Sequence, residues 1–460
     1  MCDIKPAESA NHISSESKYR EQIQAKLLSE IEDGNYIPVD DKPLIVSALG
    51  VIPKSNGDIR LIHDASLPVG KALNDYATKD PCIYQTVSQA LALLKPHYYM
   101  AKVDLQSAYR SVGIKQTEYT LTGLKWRFYG SSSDTYLVDS KLPFGARKSP
   151  PIFNRITQSI QRMMSRRGFN CVVFLDDFLV TGQSFGDCLA AYNCLLKLLR
   201  SLGFRINWQK VVDPTQELVF LGIRINTVTG QLFLDDNKVK DLVSSLDHAI
   251  NSTRLSKHQL QRLAGKLTWA CNVIVWGRTW LGRIFQCIKS LKEQSHKART
   301  CPLKSDLSWW QQVLSLGCNK RHIWDIHRPS FWLYSDASSC GGGAFCHGNW
   351  LYLNWQRDSN LASSHINVKE LAIICEALAQ WAPFLAGSNV NILTDNTAAR
   401  SFINKQRAPG PCVSSLLKLL AKSCIQFNIT VTAHHISGSS NNMADSISRL
   451  NEPGQIARFV

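Results

Sequence analysis

Nine residues constrain this chain more than any others: VVFLDDFLV, Val172 to Val180. Val172, Val173, Phe174 and Leu175 read as a strand, and Phe178, Leu179 and Val180 as its partner. Between them stand two adjacent carboxylates, Asp176 and Asp177. Like charges so close repel, and burial beside apolar strands adds a desolvation cost. A divalent cation offsets both. An ordinary solvent-facing Asp-Asp turn satisfies the same nine residues. The choice depends on which carboxylates and phosphate-handling groups stand elsewhere in the chain.

Composition narrows the setting. With 460 residues, 44% apolar and 19% charged, the chain is globular and long enough for two to four domains. The net charge of +16 suggests a polyanionic partner such as nucleic acid, or a merely basic solvated surface until the charge is located. Fourteen cysteines fall in no CxxC or zinc-spaced cluster and read as small core residues of a reducing, intracellular compartment, cytoplasmic or nuclear. There is no signal peptide, and no apolar run approaches membrane-spanning length, so no membrane partner is expected.

The first forty residues are polar, then helical from about Glu21 to Ile31, with no role readable. PLIVSALGVIPK, SNGD and IRLIHDAS read as two strands joined by an Asn-Gly turn flanked by Lys54 and Arg60. A helix is expected from about Thr86 to Leu94. In YMAKVDLQSAYRSVGI, Asp104 ends a strand-like run and Tyr109 follows five residues on. LPFGARKSPPIFNRIT, Leu142 to Thr157, combines a Gly-Pro bend, the basic pair Arg147-Lys148 and a helix start, an arrangement that favours an anion. A helix is expected over Gly186 to Leu202, a strand beginning at Phe204-Arg205-Ile206-Asn207, and another along ELVFLGIRI, Glu217 to Ile225.

In order and spacing, Asp104 with its aromatic, LPFG…SP, the aromatic-x-Asp-Asp hairpin, Lys210 and FLG resemble reverse transcriptases. The resemblance implies that Asp104, Asp176 and Asp177 are palm carboxylates. It makes Tyr109 the gate against a ribose 2′-hydroxyl, and gives Lys54 and Arg60 the incoming triphosphate. Phe174 departs from the Tyr of many retroviral enzymes, keeping the ring and losing the hydroxyl.

Lys238 to Lys304 holds thirteen Lys and Arg against three Asp and Glu, which places +10 of the net charge in one segment. Within it, SKHQLQRLAGKLTWACNVI begins with a Ser cap. Leu260, Leu263, Leu267 and Ala270 or Cys271 form an apolar stripe, with Arg262 and Lys266 on another face. QRLAGKLTW resembles the thumb helix of retroviral reverse transcriptases, which implies that Gln261, Gly265 and Trp269 follow the minor groove of a template–primer. A helical glycine is costly, and close approach to a partner's backbone is a physical reason to keep one.

A second unit is expected from Pro329. SFWLYSDASSCGGGAFCHGNWLYLNW reads as three strands with a Gly-Gly-Gly turn and Asp336 on the first. A helix carries Glu370 in its first turn, a strand ends at Asp395, and a helix start carries Asp445. Each acid alone reads as a cap. Together they match the Asp-Glu-Asp-Asp set of ribonuclease H, and His435, ten residues before Asp445 on an expected flexible loop beside His434, matches its histidine.

The resemblance covers about 44–450 and implies an α+β multidomain chain, a right-hand polymerase followed by an α/β RNase H-like domain. The expected divisions are 1–40, an extension; 41–235, fingers and palm; 236–290, thumb; 291–327, connector; 328–450, RNase H; and 451–460, a tail. It implies two Mg2+ per centre, with Mn2+ as a substitute, and RNA template, DNA primer, deoxynucleoside triphosphates and RNA–DNA hybrid as partners. The wording looks like retrotransposon enzymes, of the LTR or tyrosine-recombinase (DIRS-type) groups. Two other readings stay open: a catalytically inactive or domesticated copy that binds nucleic acid, and a chain in which only the ribonuclease half works.

Overall fold

The computed structural model describes residues 4–12, 18–53, 57–78, 81–317, 319–324, 328–407 and 409–452. The chain divides into two compact units, Met1–Leu221 with Ile225–Thr229, and Gly222–Arg224 with Gly230–Val460.

The first unit is built on a four-stranded antiparallel sheet in the order Val212–Thr215, Tyr99–Asp104, Asp177–Gly182, Asn170–Phe174. Helices Ser149–Arg166 and Phe185–Ser201 cover it. Val103, Val173, Phe178 and Val180 are buried together with Phe153, Ile160, Leu195 and Leu199. Removing that apolar area from water drives the assembly. Pro150 and Pro151 sit in the first turn of their helix, where a missing N–H leaves no bond unmade.

A five-stranded sheet, in the order Ala7–Glu8, Ile45–Val46, Gly123–Trp126, Thr135–Asp139, Tyr36–Val39, lies beside the hairpin Ala48–Pro53/Ile59–Asp64. Helix Arg20–Glu32 packs Ile23 and Leu27 onto Tyr36, Leu49, Trp126 and Leu137. The N-terminal residues, without a readable role in the sequence, thus supply a strand and a helix to this unit. Lys54, at the expected basic hairpin tip, lies outside the described residues.

The second unit begins with helices Asp236–Asn251, Lys257–Ala270, Gly282–Ser290 and Lys304–Ser315. A five-stranded sheet follows in the order Asn349–Asn354, Gly341–Cys346, Ser330–Ala337, Asn389–Thr394, Thr430–His435. Its first three strands are antiparallel and its last two run parallel to Ser330–Ala337. Among the described residues every cysteine is free, and no helix is long and apolar enough to cross a membrane.

Three expected elements differ. Phe204–Asn207 forms no strand, only a bridge from Ile206 to Leu105, because Asn207 is turned to bond Asp104. Glu217–Ile225 breaks into Glu217–Phe220 and Ile223–Asn226, where Leu221 and Gly222 adopt φ of 50° and 78°. Gly341, Gly342 and Gly343 form a strand, not a turn. A Cβ on Gly343 would stand 2.4 Å from Ala444 O and 2.5 Å from Ser448 N, so the glycines let helix Asn442–Ser448 lie directly on the strand.

Candidate active sites

Each unit brings carboxylates together, by different means. In the first, Asp104 ends its strand directly opposite Asp177, and Asp177 also pairs with Phe174. Leu175 and Asp176 alone make the turn, which forces Leu175 to a φ of 55°. A branched side chain is strained there, and the surroundings hold it: Leu175 packs on the sheet core and Leu105 N donates to Asp176 O at 3.0 Å. The turn thus brings the Asp176 backbone beside the residue that follows Asp104.

This centre already contains positive charge. Asn207 Nδ2 donates to Asp104 Oδ1 at 3.1 Å, and Lys210 Nζ lies 3.3 Å from the same oxygen. Lys102 Nζ sits 3.1 Å from Asp177 Oδ1 as an ion pair without hydrogen-bond alignment. Burial pushes Asp177 up to about 6, against the pull of Lys102, with Asp104 and Asp176 adding to the rise. Burial also raises Asp176, and Asp104 adds to that rise. Lys102 and Asn207 carried no sequence signal. Lys102 reads as an ordinary strand residue, and Asn207 arrives from a distant loop.

Tyr109 lies on the short turn Ala108–Ser111, entered through Ser107 at φ 49°. Its ring meets Phe144 at 5.0 Å and Phe153 edge-on at 5.5 Å. Its phenol is pushed up to about 12 by burial and by Asp176 nearby. Arg60 is exposed, its guanidinium 5.9 Å from the Phe144 ring. Arg60, Tyr109 and Asp176 therefore share one neighbourhood. Gly145, in the same LPFG segment, has φ 123° and comes so close to the hairpin Ala48–Pro53/Ile59–Asp64 that a Cβ would stand 1.9 Å from His63 O. The basic pair after it is less available than expected: Arg147 donates to the carbonyls of Asn74 and Ala77, and Lys148 to Thr78 Oγ1. Phe174 keeps an aromatic contact, 5.6 Å from Tyr84.

In the second unit, Asp336 on its central strand, Glu370 on helix Ile366–Trp381 and Asp395 just past strand Asn389–Thr394 converge. Their ligand atoms lie within 4.8 Å of one another. The helix begins at Ile366, so Glu370 stands beyond its first turn. The expected support from the helix dipole gives way to burial in the site. Ser448 Oγ donates to Asp336 Oδ2 at 2.7 Å, whereas Glu370 Oε2 is buried with no hydrogen-bond partner. Burial first, then Asp336 and Asp395, push Glu370 up to about 9. A buried, unpartnered carboxylate oxygen between two other carboxylates suits a hard cation. A Cβ on Gly438 would stand 3.3 Å from Asp395 Oδ2, so the Ser-Gly segment lies over this carboxylate.

The other two members sit apart. Asp445 pairs with Arg449 Nε at 2.8 Å and lies outside the converging group. His435 ends strand Thr430–His435 and is exposed, on a strand end and not the expected loop. His434 bonds Asn391 Oδ1 at 3.2 Å.

The basic helix folds as its stripe requires. Ser256 Oγ caps it by accepting from Gln259 N, and Leu260, Leu263, Leu267 and Ala270 are buried. Gln261 and Gly265 are exposed and Trp269 is half-buried, four residues apart along one face. A Cβ on Gly265 would meet nothing within 4 Å, so packing within the chain does not require this glycine. Lys238 Nζ stands 5.2 Å from the Trp269 ring. Lys266 turns inward to Asp241 and Ser245.

Residues 52–225 match the family model described as reverse transcriptase (RNA-dependent DNA polymerase). The enzymatic polyprotein of Cauliflower mosaic virus (strain Strasbourg) is 23% identical over 403 residues, which is 82% of this chain and 54% of the relative. The Gag-Pol polyprotein of Koala retrovirus is 26% identical over 208 residues, 44% of this chain and 12% of the relative. The chain therefore spans about half the length, or less, of these curated relatives. A foamy viral protease-reverse transcriptase solved with double-stranded DNA shares the fold over 94% of this chain and 72% of its own. The TM-score is 0.57 and the identity 17%. The same kind of protein solved with an RNA/DNA hybrid has a TM-score of 0.57 at 16% identity, over 94% of this chain and 55% of its own.

Proposed function

We propose that this chain, which belongs with the reverse transcriptases of retroelements, copies RNA into DNA at the centre in its first unit and cleaves the RNA strand of the resulting hybrid at the centre in its second. The observations that support the double reading are Asp104 paired across strands with Asp177, with Asp176 in the adjoining turn, in the first unit, and the converging trio Asp336, Glu370 and Asp395 in the second.

In the first centre Asp104, Asp176 and Asp177 would hold Mg2+, with Mn2+ as a substitute. In the second, Asp336, Glu370 and Asp395 would do so, with Asp445 at its edge. Bound there, a pair of such ions supplies charge neutralisation for phosphoryl transfer, to a primer 3′-hydroxyl in one unit and to water in the other. The protein's own groups do the rest. Lys210, 61% exposed, is placed to exchange Asp104 for a phosphate of the primer or nucleotide. Arg60 suits the triphosphate, and Lys54, which lies outside the described residues, is proposed for the same role from its place in the sequence. Tyr109, near Asp176 and Arg60, would meet a ribose 2′-hydroxyl and so favour deoxynucleotides. Gln261, Gly265 and Trp269 present a narrow face suited to a duplex minor groove. Exposed His435 is available to move a proton during hydrolysis or to assist product release.

RNA template, DNA primer, deoxynucleoside triphosphates and RNA–DNA hybrid are the corresponding partners. The foamy viral neighbours solved with double-stranded DNA and with hybrid support that choice by fold. An intracellular site of action fits a chain without disulfides among its described cysteines. The domesticated, non-catalytic reading finds no support in two sites whose seven carboxylates are all present.

The test is a primer-extension assay on a labelled RNA template with Mg2+ and all four deoxynucleotides, scored for both DNA product and RNA fragments. The proposal expects both, and loss of both in chelator. DNA product without fragments would leave only the polymerase half standing, and neither product would favour a binding protein.

A further inference from the structure

Next to the gate Tyr109 stands a residue that the catalytic reading does not use. Arg110 is 8% exposed, and its Nη1 donates to both carboxylate oxygens of Asp139, at 2.8 and 2.7 Å. Its Nε lies 3.0 Å from Glu30 Oε2, an ion pair without hydrogen-bond alignment. Its guanidinium also stands 4.9 Å from the Tyr36 ring and 5.6 Å from the Phe144 ring. Asp139 is fully buried and takes a further bond from Lys141 N at 2.9 Å; Glu30 takes one from Asn35 Nδ2 at 2.9 Å.

Three observations give this cluster a meaning beyond folding. A buried ion pair adds little net stability over an apolar replacement, because desolvation offsets the attraction. A guanidinium shared between two carboxylates, Nη1 on Asp139 and Nε facing Glu30, does fix direction. The turn that holds Tyr109 is entered through Ser107 at φ 49°, a conformation that a serine keeps only if its surroundings over-determine it. Arg110 N donates to Ser107 O at 2.8 Å, and the Arg110 side chain ties the same turn to helix Arg20–Glu32 and strand Thr135–Asp139. Finally, the Arg110 guanidinium and the Tyr109 ring both contact Phe144, so one aromatic ring carries the position of the anchor to the gate.

We propose that Arg110, clamped by Asp139 and Glu30, is a positioning residue that sets the place of Tyr109 and Phe144 and thereby the discrimination between deoxy- and ribonucleotides. The inference rests on the polymerase reading above. It also gives the N-terminal helix a role at the active site, through Glu30.

The test uses the full chain, extending a primer with a deoxynucleotide or its ribonucleotide, and reads the ratio of the two kcat/KM values. Arg110→Met should lower that ratio by about tenfold or more, the scale of one lost pocket contact. Arg110→Lys keeps the charge and loses the planar fork, so it should recover only part of the ratio. Glu30→Gln, close in shape, should lower it by a smaller factor, and decides the matter if Arg110→Met does not fold. Cleavage of a preformed hybrid, which uses the second unit, should stay at its original rate in every variant. A purely structural Arg110 predicts lower extension of both nucleotides with an unchanged ratio, and that result would overturn the proposal. An unaltered chain that extends no primer contradicts the polymerase reading itself, and this inference with it.

Discussion

The two carboxylate centres solve one electrostatic problem in opposite ways. The first neutralises itself in part: Lys210 faces Asp104 and Lys102 faces Asp177. Among the described residues no Lys or Arg pairs with the converging trio. Arg449, whose charge is felt at Asp336, is held by Asp445, and Glu370 is left with a buried oxygen and a pKa pushed up to about 9. The difference teaches where each site stores its demand for a cation. The first centre folds partly neutralised, with two lysines against three carboxylates. The second is relieved below about pH 9 by the proton on Glu370, which a bound cation would have to displace.

Breaking the second centre should have the largest effect. Glu370→Gln should lower hybrid cleavage by roughly 10³-fold, about 4 kcal/mol of transition-state stabilisation. Primer extension by the same protein should be unchanged. Both rates come from gel assays on one preparation.

Next comes the pH dependence of folding, which should differ in sign between the units. In chelator, Glu370 is protonated in the fold up to about 9 but ionises near its ordinary value in the unfolded chain. The folded state then binds more protons, so stability falls as pH rises from about 5 to 9, by up to about 1.4 kcal/mol per pH unit. Glu370→Gln should flatten that slope in denaturant melts. In the first unit, burial and the Arg110 charge push His63 down to about 3. Here the unfolded state binds the extra proton, so stability is lost as pH falls from about 6.5 towards 3. His63→Leu should remove that acid-side loss.

A smaller effect isolates the lysines. Lys102→Met takes away the charge that holds Asp177 down, so the acid limb of the primer-extension profile should move up, by about one pH unit. The cleavage profile should not move. The smallest concerns helix Lys257–Ala270. Gly265→Ala meets no atom, so it should stabilise the free chain by up to about 1 kcal/mol while weakening duplex binding. Equal affinity by fluorescence titration would remove the minor-groove role from that face.

The sequence showed the carriers of chemistry better than what holds them. The Asp-Asp hairpin, Asp104 and the trio Asp336, Glu370 and Asp395 stood out through their resemblance to reverse transcriptase and ribonuclease H motifs, while period-two and helical patterns placed their neighbours on elements. The leucine stripe of helix Lys257–Ala270 and its Ser256 cap were legible from helical periodicity and capping alone. Lys102, Asn207 and the Arg110 clamp were not. Their partners come from distant parts of the chain, and a buried ion pair leaves no periodic trace. The glycine run at 341–343 was misjudged as a turn because its cause is a helix lying against it, supplied from Asn442 onward. His435 was expected on a loop because the Ser-Gly segment follows at once, but pairing with Thr394 carries the strand through it.

The account rests on two centres that work independently in one chain. The most direct measurement uses an RNA template with an annealed DNA primer and two full-length variants, Asp176→Ala/Asp177→Ala and Asp395→Asn. The first should lose DNA synthesis and still cleave a preformed hybrid. The second should synthesise DNA and leave the RNA strand intact. If either variant loses both activities while it stays folded by circular dichroism, the two centres are not independent and the account is wrong.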